Sequence, residues 1–187
     1  MATAASGVEG ALDEGAALFR AFLRKAAAAD LQEMETALAA EYAALFLNAG
    51  KRSVHPFESV YTSAGRLVMQ KARDEVLAAY RQAGLAQSEE FKEPEDHIAL
   101  ELEFMADLCR KLSRALAEGD RLACLAFLAR QREFLDTHLL IWVPAFCNDL
   151  GKASSSDFYR GIATLTAEFI QSEREAIPAL IEELTPS

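Results

Sequence analysis

Residues 93 to 97 read EPEDH, which places three carboxylates and an imidazole within five positions, with Glu101 one helical turn further on. Carboxylate and imidazole groups at such spacing are the raw material of general acid–base catalysis and of metal binding. Both chemistries need more than this cluster supplies. A di-iron bundle site needs Glu-x-x-His on two helices and a zinc hydrolase needs His-x-x-x-His, and the sequence contains neither. It also lacks a Gly-x-Ser-x-Gly elbow, a Cys/His nucleophile signature and a Gly-x-x-x-x-Gly-Lys-Ser/Thr loop. The expectation is a protein without enzymatic activity, metal or cofactor. Local physics accounts for most of EPEDH: Pro94 suits the first position of a helix, and Glu95 and Asp96 set negative charge on the positive end of its dipole. His97 and Glu101 then form an i,i+4 pair of the surface or capping kind.

Other side chains that could bind something are aromatic. Phe134, His138, Trp142 and Phe146 recur every four residues in FLDTHLLIWVPAF, and Trp142 reads either as core or as the wall of a groove. Tyr42, Leu45 and Phe46 lie on one stretch of helical periodicity, where hydrophobic core is the default reading. Phe57 and Tyr61 stand in a Gly-, Ser- and Pro-bearing loop, and an aromatic loop over an acidic helical body could hold a peptide.

The elements that position these residues are helices throughout. No stretch alternates strictly, and the β-branched residues are scattered within 3.6-residue patterns, so the fold class is all-α: a single-domain, bundle-like fold over residues 1–187. A loosely ordered tail is expected over about residues 1–10. One helix should follow Asp13; a second carries Met34, Leu38, Tyr42 and Leu45 and stops near Asn48 and Gly50. A third runs from about Arg66 to Ala83, and AQSEEFKE, residues 86–93, reads as a polar linker joining two helical halves. From Ile98 the apolar positions 98, 102, 105, 109, 112 and 116, widened by Leu100, Phe104 and Leu108, mark a central buried helix that Gly119-Asp120 breaks. Pro144 should end or kink the following helix, SSSD should cap another, and Pro178 should open a short last one.

Composition narrows the class further. Half of the 187 residues are apolar and 26% are charged, the balance of a globular protein. A formal charge of −10 repels nucleic acid and anionic membranes and favours a cationic partner such as a basic peptide. The acidic start is unlike an export signal and no run is long enough to span a bilayer, which implies a cytoplasmic protein without stable membrane insertion. Cys109, Cys124 and Cys147 are widely spaced among apolar residues and read as reduced core thiols. The chain could be a monomer or a dimer, since a linker at 86–93 allows halves to exchange.

Three blocks in order, LFLNAG…HPFESVY, EPEDHIALELEFMA and HLLIWVPAF with DFYRGIATL behind it, resemble the TorD/DmsD family of cytoplasmic chaperones for molybdoenzymes exported by the twin-arginine route. The likeness covers roughly residues 38 to 170, and Pro-x-Asp-His opening an apolar helix is its most specific string. The resemblance implies a non-enzymatic all-α protein that binds the twin-arginine signal peptide of a molybdopterin oxidoreductase subunit in its apo form and delays export until cofactor insertion. It further implies that Tyr42, Leu45, Phe46, Phe57, Tyr61, Pro94, Asp96, His97, His138 and Trp142 contribute to peptide binding. The alternative is a non-catalytic helical regulatory or nucleotide-binding module that uses Asp96 and His97.

Overall fold

The computed structural model describes residues 2–47, 49, 53–86 and 92–185, with side chains from residue 13 onward. Its elements are α1 (Ala2–Ala27), α2 (Leu31–Phe46), α3 (Glu58–Thr62), α4 (Lys71–Gln82), α5 (Ile98–Glu118), α6 (Arg121–Phe134), a π-helical turn (Leu135–Leu139), α7 (Leu140–Ala153) and α8 (Asp157–Leu184). The only pairing of extended backbone among the described residues is an isolated antiparallel bridge between Phe57 and His97. The fold class is all-α.

Helix starts and stops follow local chemistry where side chains can cap. Asp30 accepts from the N–H groups of Gln32 and Glu33 to start α2. Gly119, at φ 71°, ends α5 in the left-handed region, and Asp120 accepts from Ala123 N–H to start α6 at once. That break was legible in the sequence.

Other boundaries differ from expectation. The third helix starts at Lys71 and not Arg66, because Arg66 and Met69 take φ of 49° and 57°, which no helix admits. The long aromatic loop contains the short helix α3. Pro144 lies inside α7, directly behind the π turn, and Pro178 lies inside α8 without ending it. Burial explains the second case: Ile177, 1% exposed, anchors α8 next to its proline, so one missing hydrogen bond does not stop the helix. The expected stops at Asn48 and Gly50 lie outside the described residues, as does most of the expected linker at 86–93.

The chain groups into two compact units, Met1–Pro56 with Pro144–Gln171, and Phe57–Val143 with Ser172–Ser187. In the first, Phe19 and Phe22 of α1 pack on Phe158 at ring separations of 5.8 and 5.0 Å. Gly161 lets α8 approach the α1 backbone so closely that a Cβ there would lie 3.0 Å from the Phe19 nitrogen. In the second, α5 and α6 form a hairpin whose buried face carries Phe104, Leu108, Leu128 and Phe134. The face of α5 is thus set by Glu101, Phe104, Met105, Leu108 and Ala115, one position round from the expected stripe, and Leu116 is 53% exposed. Cys124 and Cys147 are buried free thiols, whereas Cys109 is exposed and not a core residue.

Candidate functional site

In the second unit the segments FESVY, residues 57–61, and EPEDH are fastened together. The Glu58 N–H donates to the Asp96 carbonyl at 3.0 Å, and the Ser59 N–H donates to Asp96 Oδ2 at 2.8 Å. Asp96 therefore caps α3 from a distant segment, with its carboxylate on the unsatisfied N–H groups of the first turn. Beside these bonds the Phe57 and His97 rings meet edge to face at 5.1 Å.

The start of α5 departs from the proline reading. Pro94 precedes the helix by several residues, and the cap is His97, whose Nδ1 accepts from the Ala99 N–H at 3.1 Å. A ring nitrogen that accepts from a backbone N–H carries no proton, so the neutral tautomer is favoured. Burial pushes the His97 pKa down in the same direction, against the pull of Glu93 and Asp96. Glu95 turns away from the helix: Arg73 holds it in a two-pronged clasp, Nε to Oε2 at 2.5 Å and Nη2 to Oε1 at 2.9 Å. The Tyr80 hydroxyl donates to the Glu95 carbonyl at 3.1 Å and fixes the same turn from α4.

Beneath this corner lies a buried polar layer. His138 Nδ1 meets Glu58 Oε2 at 2.9 Å, and Trp142 Nε1 donates to Glu101 Oε2 at 3.0 Å. Glu58, Asp96, Glu101 and Trp142 are 3% exposed or less, and His138 is 7% exposed. Burial, then the nearby Glu58 charge, pushes the Glu101 carboxyl well above its ordinary 4.5, although the Trp142 indole pulls it the other way. Glu101 is thus a buried carboxyl bonded to a tryptophan, its acid form favoured by burial, and not the surface partner of His97. The Tyr61 ring lies 5.7 Å from Trp142 and is capped on its face by the Arg66 guanidinium at 5.2 Å.

Seven of the ten residues singled out from the sequence, Phe57, Tyr61, Pro94, Asp96, His97, His138 and Trp142, fall in this unit. Asp96, His138 and Trp142 face inward, whereas Phe57, Tyr61, Pro94 and His97 are half-buried and retain accessible surface. Tyr42, Leu45 and Phe46 belong to the other unit. There Tyr42 is 49% exposed and stacks on Phe46 at 5.1 Å, Phe46 meets Tyr159 at 5.8 Å, and Leu45 is buried. Beside them, Glu41 accepts from the N–H groups of Ser155 and Ser156 at 2.8 and 3.0 Å and from Ser154 Oγ at 2.8 Å.

Glu41, Glu58, Tyr80 and Tyr159 were not singled out from the sequence, and Glu101 was read only as a surface or capping partner of His97, whereas it is fully buried. Glu101 had a readable signal, since it stands three and seven residues before Phe104 and Leu108 and so shares their buried face. Among the described residues no group of three or more His, Cys, Asp or Glu side chains could hold a metal ion. Asp96 and Glu101 face inward and Glu95 is clasped by Arg73, an arrangement that locks two segments together, while Glu93 is exposed.

Residues 9–148 match the profile of a family described as nitrate reductase delta subunit. The chain is 35% identical over 156 residues to the chaperone protein TorD of a Vibrio cholerae serotype O1 strain, covering 82% of this chain and 68% of that protein. To the chaperone protein TorD of Photobacterium profundum it is 32% identical over 140 residues, covering 75% of this chain and 63% of that protein. The TorD of Aliivibrio salmonicida is 29% identical over 145 residues, 76% of this chain and 66% of that protein. The chain thus spans about two thirds of the length of these relatives. No solved structure matches. Among the described residues no helix is long and apolar enough to cross a membrane.

Proposed function

Since the chain belongs to the nitrate reductase delta subunit family, among whose members are the TorD chaperones, we propose that it is a cytoplasmic maturation chaperone for a molybdopterin-containing oxidoreductase. The family is one of chaperones and not of enzymes. In this reading the chain binds the twin-arginine signal peptide of its apo client and delays export until the cofactor is in place.

The observation that supports the reading most is the fastening of FESVY to EPEDH through Asp96 and the Phe57–His97 bridge. Motifs 37 residues apart in the chain become one corner with aromatic and imidazole surface left accessible. A leader peptide carries two guanidinium groups ahead of an apolar stretch, and such a ligand calls for aromatic surface beside negative charge. Phe57, Tyr61, Pro94, His97, Tyr42 and Phe46 are assigned contact roles on the strength of their exposure. Leu45, Asp96, His138 and Trp142 are assigned the role of positioning them. Net charge of −10 adds long-range attraction for a basic segment.

Calorimetric titration of the full chain with a twin-arginine leader peptide, and with the same peptide carrying two lysines, tests this. Saturable binding that weakens on Arg→Lys replacement is expected; equal binding of both peptides, or of neither, rejects the leader as the ligand.

A further inference from the structure

We propose that a cavity among α4, α5, α6 and the π turn binds a small phenol-type ring, a planar aromatic bearing a hydroxyl donor, with Nε2 of His138 as the acceptor. The cavity measures about 240 Å³ and lies wholly within the second unit. A hydrophobic cavity of about 150 Å³ is known to take a benzene ring, so one ring with a hydroxyl fits with room to spare.

The walls are graded from outside to inside. Rim side chains such as Arg130, Glu133 and Thr137 are exposed, whereas Phe104, Phe134 and His138 are buried to 5%, 3% and 7% exposure. Phe104 and Phe134 meet edge to face at 4.7 Å, and Phe134 lies 4.7 Å from the His138 ring. Such a corner offers both faces and edges to a third ring. Opposite it lie Ala78 and Ala79 of α4 and Ala83 directly after it, whose short side chains leave the space open.

His138 supplies the directional contact. Its Nδ1 is committed to the buried Glu58 at 2.9 Å. In the tautomer that donates from Nδ1 to this carboxylate, Nε2 presents a lone pair, and no described residue donates to it. The π turn that carries His138 shifts side-chain register between α6 and α7, a distortion that recurs at binding sites. A buried acceptor set among aromatic walls selects a ligand that brings one donor on an otherwise apolar ring. The rim carries Arg130 against Glu75 and Glu133, an excess of negative charge that disfavours an anionic ligand.

The same chemistry could arrive as a free phenol or as the tyrosyl side chain of a partner protein. The test uses the full chain, with phenol, toluene and N-acetyltyrosinamide as probes and the His138 imidazole signals followed by NMR. Phenol should shift those signals saturably, with a dissociation constant on the order of 1 mM, and toluene should bind at least tenfold more weakly. Binding of phenol alone assigns a free small ligand; binding of N-acetyltyrosinamide as well assigns the tyrosyl source. Ala79→Leu, which fills the space from a half-buried position without touching the His138–Glu58 pair, should abolish binding while the circular dichroism spectrum stays unchanged. Equal binding of toluene and phenol, His138 signals unmoved at saturating phenol, or undiminished binding to Ala79→Leu would each overturn the proposal.

Discussion

Asp96 Oδ2 accepts the backbone N–H of Ser59 at 2.8 Å, with both residues fully buried and 37 positions apart. A carboxylate on the first turn of α3 satisfies a donor that no side chain within α3 reaches, since Phe57 at the cap position makes no side-chain bond. One contact therefore completes a helix and ties it to the turn ahead of α5.

Asp96→Ala should lower unfolding free energy by about 2 kcal/mol, at the upper part of the range for a lost cap, because the Ser59 N–H is left buried without a partner. Asp96→Asn keeps an acceptor oxygen and should cost about half as much. Urea unfolding monitored by circular dichroism measures both; a loss below about 0.5 kcal/mol for the alanine variant would show that the contact carries little of the fold.

Glu101 sets the sign of one pH dependence. Its folded pKa stands well above the ordinary 4.5, chiefly through burial, so its contribution to stability is complete below 4.5. As pH rises past that value the unfolded chain releases its proton and the folded chain keeps it, so stability falls until pH passes the folded value. Glu101→Gln cannot titrate yet still offers Trp142 an acceptor, and its urea midpoint should fall less between about pH 5 and 8 than that of the parent chain. Parallel curves for the two proteins would mean that Glu101 titrates normally.

Glu41 acts in the opposite sense. Burial raises its pKa, but the Ser156, Ser154 and Ser155 hydrogen bonds outweigh it and the net shift is downward. The stability it confers is present above the ordinary 4.5 and is lost as pH falls through the lower folded value. Glu41→Ala should cost about 1 kcal/mol at neutral pH, discounted for partial exposure, and the difference from the parent chain should vanish in acid. Thermal melts at matched pH values report it; a difference that survives at low pH would point to packing and not to the carboxylate.

What the sequence revealed and what it concealed divide along a physical line. The Gly119-Asp120 break and the helical class were readable because turn conformation and apolar period are local properties. The proline rule misplaced a boundary at Pro178 because neighbouring buried residues such as Ile177 hold the helix through it. EPEDH was misread in part for a related reason: Asp96 serves a helix 37 residues away, and no spacing rule exposes a partner so distant. That Phe57, Tyr61, His138 and Trp142 gather in one unit with Asp96 was legible only as shared family pattern.

The contact and positioning roles assigned to the candidate residues separate in a pair of measurements. Trp142 is the sole tryptophan of the chain and is fully buried, so its emission reports the integrity of the second unit directly. Phe57→Ala and Tyr61→Ala remove half-buried rings and should each weaken leader-peptide binding about tenfold, with the native tryptophan emission maximum preserved. Trp142→Phe instead leaves the Glu101 carboxyl without its indole donor, and should cost about 2 kcal/mol of stability while weakening binding only in proportion to the unfolded fraction. If Trp142→Phe abolished binding in a chain that remained folded, the tryptophan would contact the peptide itself, and the corner would have to open to receive it. If Phe57→Ala and Tyr61→Ala bound the leader as tightly as the parent chain, the recognition surface would lie elsewhere.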